Sequence, residues 1–450
     1  MTLPPGPRMP RALQALGWAT RPYPFMKRCQ ERYGDVFTLR ILHSGTWVFL
    51  CDPGDVKRVL TAPAGGLGVA LANPLLLPVL GPRSVMLLEE PAHMQRRRLM
   101  LPPFHGQRME ADAAMMAVAT REVVRAWPAG EPFELWPQMQ AITQEVILRS
   151  VFGADEAQRL GELRTLLHRL TAVLNDPGRL RMAAALGPHR LARDKGFRAA
   201  MAPLEAALLE EVERRRRAGE EGRRDIVSIL IEARHEDGSP LGERELRDEL
   251  MTLLTDGPTS SSLAWVFERL LRHPRKLRRL QEEVWAGEDD AYMDAVVKET
   301  LRLCPPVPVV VRRLLEPLEL GGHLLPAGTV VAPCVYLIHR NEEIYPSPRR
   351  FLPERFLEGP PGTYTWIPFG GGTRRCLAAS YAELEMKRVL RTVLSEVELR
   401  PADEDSERAR RSAISFSPDR RARVIAEPRT PFPAAVPEPS EPWQPKPICS

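Results

Sequence analysis

A chain of 450 residues with 44% hydrophobic and 27% charged side chains can bury a substantial core, and no flexible linker interrupts it before its proline-rich end, so one large, mostly helical domain is expected. The formal charge of +5 is small for this length and the basic residues are interleaved with acidic ones, which argues against a nucleic-acid-binding tract. Cysteines at 29, 51, 304, 334, 376 and 449 form no CxxC pair or metal-like cluster, and apolar runs such as Pro74–Leu80 are broken by proline, so disulfide frameworks, zinc sites and bilayer-spanning helices find no support.

The N-terminus, Met1-Thr-Leu-Pro-Pro-Gly-Pro-Arg, lacks the charged-then-apolar plan of a secretory signal, and a cytoplasmic protein is expected. Asp35–Ile41 and Thr46–Leu50 alternate around a Ser-Gly turn, the pattern of a hairpin in a small sheet. Residues 63 to 88 are rich in Gly, Pro and Leu without helical periodicity, as in an apolar surface loop packed on the core. Glu90-Pro-Ala-His-Met-Gln-Arg-Arg-Arg-Leu starts a helix with proline near its beginning, and His93 and Arg97, four apart, share one of its faces. From 110 to 235 the pattern is helical and strongly charged.

A long helix is expected around 246 to 272, with Pro258 inside it. Proline removes an N–H and presses on the carbonyl of Leu254, so the helix should open or kink there. Glu299 and Arg302 lie three apart on the next helix, which by itself describes a modest surface pair. Pro305-Pro-Val-Pro-Val-Val-Val-Arg-Arg313 is extended, because proline restricts its neighbours to β or polyproline geometry. Beyond 427 the chain is proline-rich, acidic and aperiodic, so residues 1–426 form the expected domain and 427–450 a disordered tail.

The stretch Phe369-Gly-Gly-Gly-Thr-Arg-Arg-Cys376 sets one cysteine at the end of a glycine-rich loop and ahead of a helical pattern, Leu377 to Lys387. A helix N-terminus and the neighbouring Arg374 and Arg375 favour a thiolate, and glycines let the main chain approach a large flat ligand. A soft anionic axial sulfur suits haem iron. In order and spacing, Phe369, Gly372, Arg374, Cys376 and Ala378 resemble the haem-binding signature of the cytochrome P-450 family, soluble bacterial type, with alanine at 378 where the family has glycine.

The resemblance extends in family order from residue 4 to about 425 and implies a mainly α fold with small β-sheets, the single-domain cytochrome P-450 fold. It makes Cys376 the proximal ligand of haem b, and His93, Arg97, Arg312 and Arg374 the partners of its propionates, with Arg98 as companion of Arg97. It joins Glu299, Arg302 and Arg355 in a buried network that braces the cysteine loop, and lets residues 63–88 close over a substrate. Val309 and Val310 then become pocket walls, although both also read as core strand residues. Thr259 matches the family's distal threonine, but Pro258 stands where an acid is usual and Asp256 where a glycine is. Two readings of Asp256 stay open: it relays a proton to Thr259, or it caps the helical half that restarts at Gly257-Pro258.

The activity implied is O2-dependent hydroxylation or epoxidation of an apolar small molecule (lipid, terpenoid, steroid or polyketide) by a monomer. Electrons would come indirectly from NAD(P)H through ferredoxin and ferredoxin reductase, or flavodoxin, docking where Arg96, Arg98, Arg375, Lys387 and Arg388 form a basic patch. Two alternatives remain: a haem-thiolate isomerase, dehydratase or peroxygenase that needs no acid–threonine relay, and a non-catalytic haem-binding sensor.

Overall fold

The structure is a computed structural model that describes residues 3–429 except 64, 105, 154–156, 177, 180–181, 183–185, 188, 220–224, 256, 288, 360–361 and 413–414. An N-terminal pair of helices, α1 (Arg11–Thr20) and α2 (Pro22–Tyr33), leads into the expected hairpin, β1 (Val36–Ile41) and β2 (Gly45–Leu50). Helix α3 (Pro53–Leu60) starts with Pro53 in its first turn and Asp52 as cap, whose carboxylate accepts from the N–H of Asp55 at 2.9 Å. The Gly/Pro/Leu-rich stretch forms β3 (Leu67–Gly68), a 3₁₀ turn (Ala70–Ala72) and the single-turn α4 (Leu77–Leu80), before α5 (Ala92–Met100).

The helical middle comprises α6 (Gln107–Val124), α7 (Leu135–Phe152), α8 (Ala157–Leu174), α9 (His189–Arg193), α10 (Lys195–Ala218) and α11 (Ile226–Glu232), with β4 (Pro132–Glu134) between α6 and α7. The single long helix expected around 246–272 is two: α12 (Glu243–Leu254) and α13 (Pro258–Leu271). Pro258 does not kink a continuous helix but occupies the first position of a new one, where its missing N–H costs nothing. Gly257 is the N-cap, and Asp256, with both of its readings, lies outside the described residues.

Helices α14 (Pro274–Ala286) and α15 (Ala291–Leu303) precede β5 (Arg312–Leu314), β6 (Leu318–Leu320), β7 (His323–Leu325), β8 (Val330–Pro333) and the short α16 (Val335–Ile338). The chain closes with α17 (Ala379–Glu396), β9 (Val397–Pro401), β10 (Ala409–Ser412), β11 (Ser415–Pro418) and β12 (Arg423–Pro428). Strand β12 pairs with β9 as far as Pro428, so ordered structure passes the boundary expected at 426; from 430 the tail lies outside the described residues.

The largest sheet has the order β1-β2-β8-β5-β3, with β2 and β8 parallel and the other neighbours antiparallel. Helix α13 is the centre of the helical layer. Leu263, Ala264, Trp265, Val266, Phe267 and Leu270 are buried, and the helix packs against α7, α15, α17 and β11. Trp265 spends its indole N–H on the Phe416 carbonyl at 3.0 Å, which docks the β10–β11 hairpin on this helix. No helix among the described residues is long and apolar enough to cross a membrane.

Segment 80–85 is fastened to α12 by polar bonds rather than by packing alone. The carboxylate of Asp248 accepts from the Arg83 N–H and that of Glu249 from the Val85 N–H, both at 2.9 Å, while Ser84 and Thr252 share a hydrogen bond of 2.7 Å. Gly81, at φ +85°, lies directly under the Asp248 carboxylate, where any β-carbon would collide. Arg96 of α5 is buried and bonds Glu249 at 2.8 Å and Glu245. Burial outweighs Arg96 and lifts the Glu249 carboxyl from 4.5 to about 7, and its Oε2 has no hydrogen-bond partner among the described residues. A raised native value makes this group's contribution to stability full below about pH 4.5 and lost as pH rises through about 7. The melting temperature should therefore fall by about a few degrees between pH 6 and pH 8, and Glu249→Gln should flatten that slope. An unchanged slope in the variant would assign it to other groups.

Candidate active site

The loop around Cys376 is built by its glycines. The N–H of Cys376 donates to the Phe369 carbonyl at 2.9 Å and closes the loop, and a 3₁₀ turn, Gly372–Arg374, lies inside it. Gly372 has φ +66°, and a β-carbon there would run into the Leu60 carbonyl at the end of α3, so conformation and close approach both require glycine. Helix α17 begins at Ala379 rather than at Leu377, leaving Cys376 exposed just ahead of its N-terminus. Arg375, also exposed, places its guanidinium 6.0 Å from the centre of the Phe369 ring.

Four basic side chains from three parts of the chain converge beside this loop. His93 is buried on α5, with Nδ1 2.8 Å from Glu90 Oε1. Burial first, then the charge of Arg374, hold it below its ordinary value against the pull of Glu90. Burial also lowers Arg97, and the nearby Cys376 sulfur counters it. Burial, then Arg374, bring Arg312 down to about 10, with Glu89 opposing. Arg374 itself is lowered by burial, opposed by Glu89 and Glu90, and its Nη2 donates to the Leu88 carbonyl at 2.7 Å and to Glu89 at 3.3 Å. Arg313, the neighbour of Arg312, reaches instead for the Gly328 carbonyl.

Such a cluster is poorly solvated and only partly countered by Glu89 and Glu90, so it favours an anionic ligand. A haem with two propionates, held by a thiolate across a glycine loop, fits these residues. The family resemblance did not single out Glu89 and Glu90, and no local pattern distinguishes them from the many other acidic pairs in the chain.

Two expected members of the surroundings lie elsewhere. Arg96 was placed in a surface patch but is buried against α12, and Arg98 points outward to Glu236 at 3.5 Å rather than accompanying Arg97. The alternation of an extended chain separates Val309 from Val310. Val309 packs in the cluster of Trp18, Phe37 and Tyr336, whereas Val310 packs with Leu60 and Ile367 and faces the side of Gly370 on which a β-carbon would sit. Thr259 is buried in the first turn of α13, which starts at Pro258 after α12 has ended at Leu254.

The brace behind the loop is assembled from distant residues. Glu299 and Arg302 are fully buried on α15 and pair in fork geometry, Nε to Oε2 at 2.7 Å and Nη2 to Oε1 at 2.9 Å. Arg355 adds a contact to Glu299 at 3.2 Å, and the Leu352 N–H donates to the same carboxylate at 2.8 Å. Arg302 also donates to the carbonyls of His339, Pro348 and Arg350. His339, absent from the sequence reading, carries the brace onward: its Nε2 accepts from the Ile367 N–H at 2.9 Å, two residues before Phe369. Burial, then Arg302, lower His339 to about 3, so it is a neutral acceptor at ordinary pH.

Comparisons with known proteins show the family and the fold. A family model described as Cytochrome P450 matches residues 3–421. The Mycobacterium tuberculosis protein named cytochrome P450 135B1 is 38% identical over 434 residues, covering 94% of this chain and 91% of its own length. That organism's cytochrome P450 137 is 35% identical over 442 residues, with the same two coverages. The solved structure of a cyanobacterial CYP120A1 with retinoic acid bound shares the fold, with a TM-score of 0.81 at 22% identity over 95% of this chain and 100% of that one. The chain belongs to the cytochrome P450 family and is an oxidoreductase of the haem-thiolate monooxygenase kind, with the mainly helical fold and haem b requirement that the family implies.

Proposed function

We propose that the protein hydroxylates or epoxidises an apolar small molecule of the lipid, terpenoid, steroid or polyketide class, using O2 and electrons delivered by a separate ferredoxin with its reductase, or by flavodoxin. The observation that carries the reading is the convergence of His93, Arg97, Arg312 and Arg374 beside the loop of Cys376. Cys376 would hold the haem iron through its sulfur and the four bases would neutralise the propionates. Bound haem supplies the activation of O2 and the transfer of one oxygen atom to substrate.

The chain's own residues orient and protect that chemistry. The Cys376 thiolate would donate electron density to the iron it holds, and the buried Thr259 on α13 would hold a proton at its Oγ1. Val310 and the apolar segment 67–80 would shape the pocket against water. Arg375, exposed beside Cys376, would lead a basic docking face that excludes Arg96.

One observation favours a second reading. Pro258 is the residue before Thr259 and starts a new helix, so no carboxylate directly precedes the threonine. Isomerisation, dehydration or peroxide-driven oxidation needs no acid at that place. Titrating the ferric protein with lipids, terpenoids, steroids and aromatic metabolites should give a saturable spin-state change with one class. Turnover of that class only with O2 and reductant supports monooxygenation. Turnover with peroxide alone, or with no oxidant, supports the second reading, and a protein that no member of the panel perturbs would overturn the apolar-substrate proposal.

A further inference from the structure

Glu89 stands at the junction between the cluster of bases and the stretch expected to wall the pocket. Its Oε1 accepts from two consecutive main-chain donors, the Val69 N–H at 2.6 Å and the Ala70 N–H at 3.0 Å. These are orphan donors at the start of the 3₁₀ turn Ala70–Ala72, which has no cap of its own, so a residue twenty positions away performs the capping. Its Oε2 faces Arg374 Nη2 at 3.3 Å, and its charge also reaches Arg312.

The other edge of the same segment is fixed to the strand of Arg312. Strand β3 pairs with β5 through Leu67 opposite Leu314 and Gly68 opposite Arg313, and the Leu315 N–H donates to the Gly66 carbonyl at 3.0 Å. Segment 66–70 is thus held by the element that carries Arg312 on one side and by the carboxylate that pairs with Arg374 on the other.

We propose that Glu89 is a positioning residue that ties segment 67–72 to the guanidinium of Arg374, so that displacement of this wall by a ligand changes the charge next to the haem propionates. The proposal rests on the reading of Arg374 as a propionate partner. Glu89 also competes with a propionate for that guanidinium, which makes the balance between them sensitive to where the wall lies.

Two variants of the haem-loaded protein separate the halves of the tie. Glu89→Gln keeps an oxygen for the two amides and removes the charge; Glu89→Ala removes both. In the glutamine variant, hydrogen exchange at the Val69 and Ala70 amides should stay near that of the wild type while the ferric–ferrous midpoint potential rises, because a negative charge beside the haem edge is gone. In the alanine variant, the potential should rise in the same way and exchange at those amides should accelerate by about tenfold or more. An unchanged potential in the glutamine variant, or wild-type exchange in the alanine variant, overturns the proposal. Exchange is read on the polypeptide itself, whereas failure of the haem reading shows independently, as a wild-type protein without the carbon monoxide band of thiolate ligation.

Discussion

Cys376→Ser should yield a folded protein whose reduced, carbon monoxide-treated haem lacks the shifted absorption band of thiolate ligation, with turnover lower by about a thousandfold or more, equal to about 4 kcal/mol of barrier. The loop itself should survive, because what closes it is the backbone bond from Cys376 N–H to the Phe369 carbonyl and the seating of Gly372 on Leu60, neither of which uses the sulfur. Cys376→His offers a neutral ligand in place of an anionic one and should retain haem without restoring turnover. The effect then belongs to the donated charge and not to occupancy of the position. A serine variant that keeps the shifted band of thiolate ligation would remove Cys376 from its assigned role.

The parts of this architecture that are readable from sequence are those set by local rules. The hairpin at 36–50 follows from alternation, and Gly372 before Cys376 marks a place where positive φ and close approach to the Leu60 carbonyl leave no room for a side chain. Pro258 announced an interruption, although its effect was a new helix start rather than a kink, since proline is as comfortable at a first position as it is disruptive in an interior. Arg96 shows where local reading fails. Three consecutive arginines look like a solvated face, yet one is buried because Glu245 and Glu249 arrive from about 150 positions away. Glu89 and His339 were illegible for the same reason, since the main-chain groups they bond, and for Glu89 the Arg374 side chain as well, are brought near only by the completed fold.

Glu299→Ala should abolish haem incorporation at growth temperature. Arg302 is fully buried and its donors are divided between the Glu299 carboxylate and the carbonyls of His339, Pro348 and Arg350, so removing the carboxylate strands a guanidinium charge in a dry interior. Breaking one side of such a pair typically costs about 3–5 kcal/mol, a large share of the 5–15 kcal/mol that holds a typical domain together. The damage also has a route to the iron site. Freed of its partner, Arg302 loses the orientation that presents the His339 carbonyl and ring, and with it the bond from His339 Nε2 to the Ile367 N–H that supports the loop of Cys376. Glu299→Gln keeps acceptors without the charge and should fall between wild type and alanine. Combining Glu299→Ala with Arg302→Met removes the stranded charge together with its partner, so the double variant should fold better than Glu299→Ala alone while still loading haem poorly. A haem-replete Glu299→Ala protein with a wild-type melting temperature would dissolve the link between this brace and the cysteine loop.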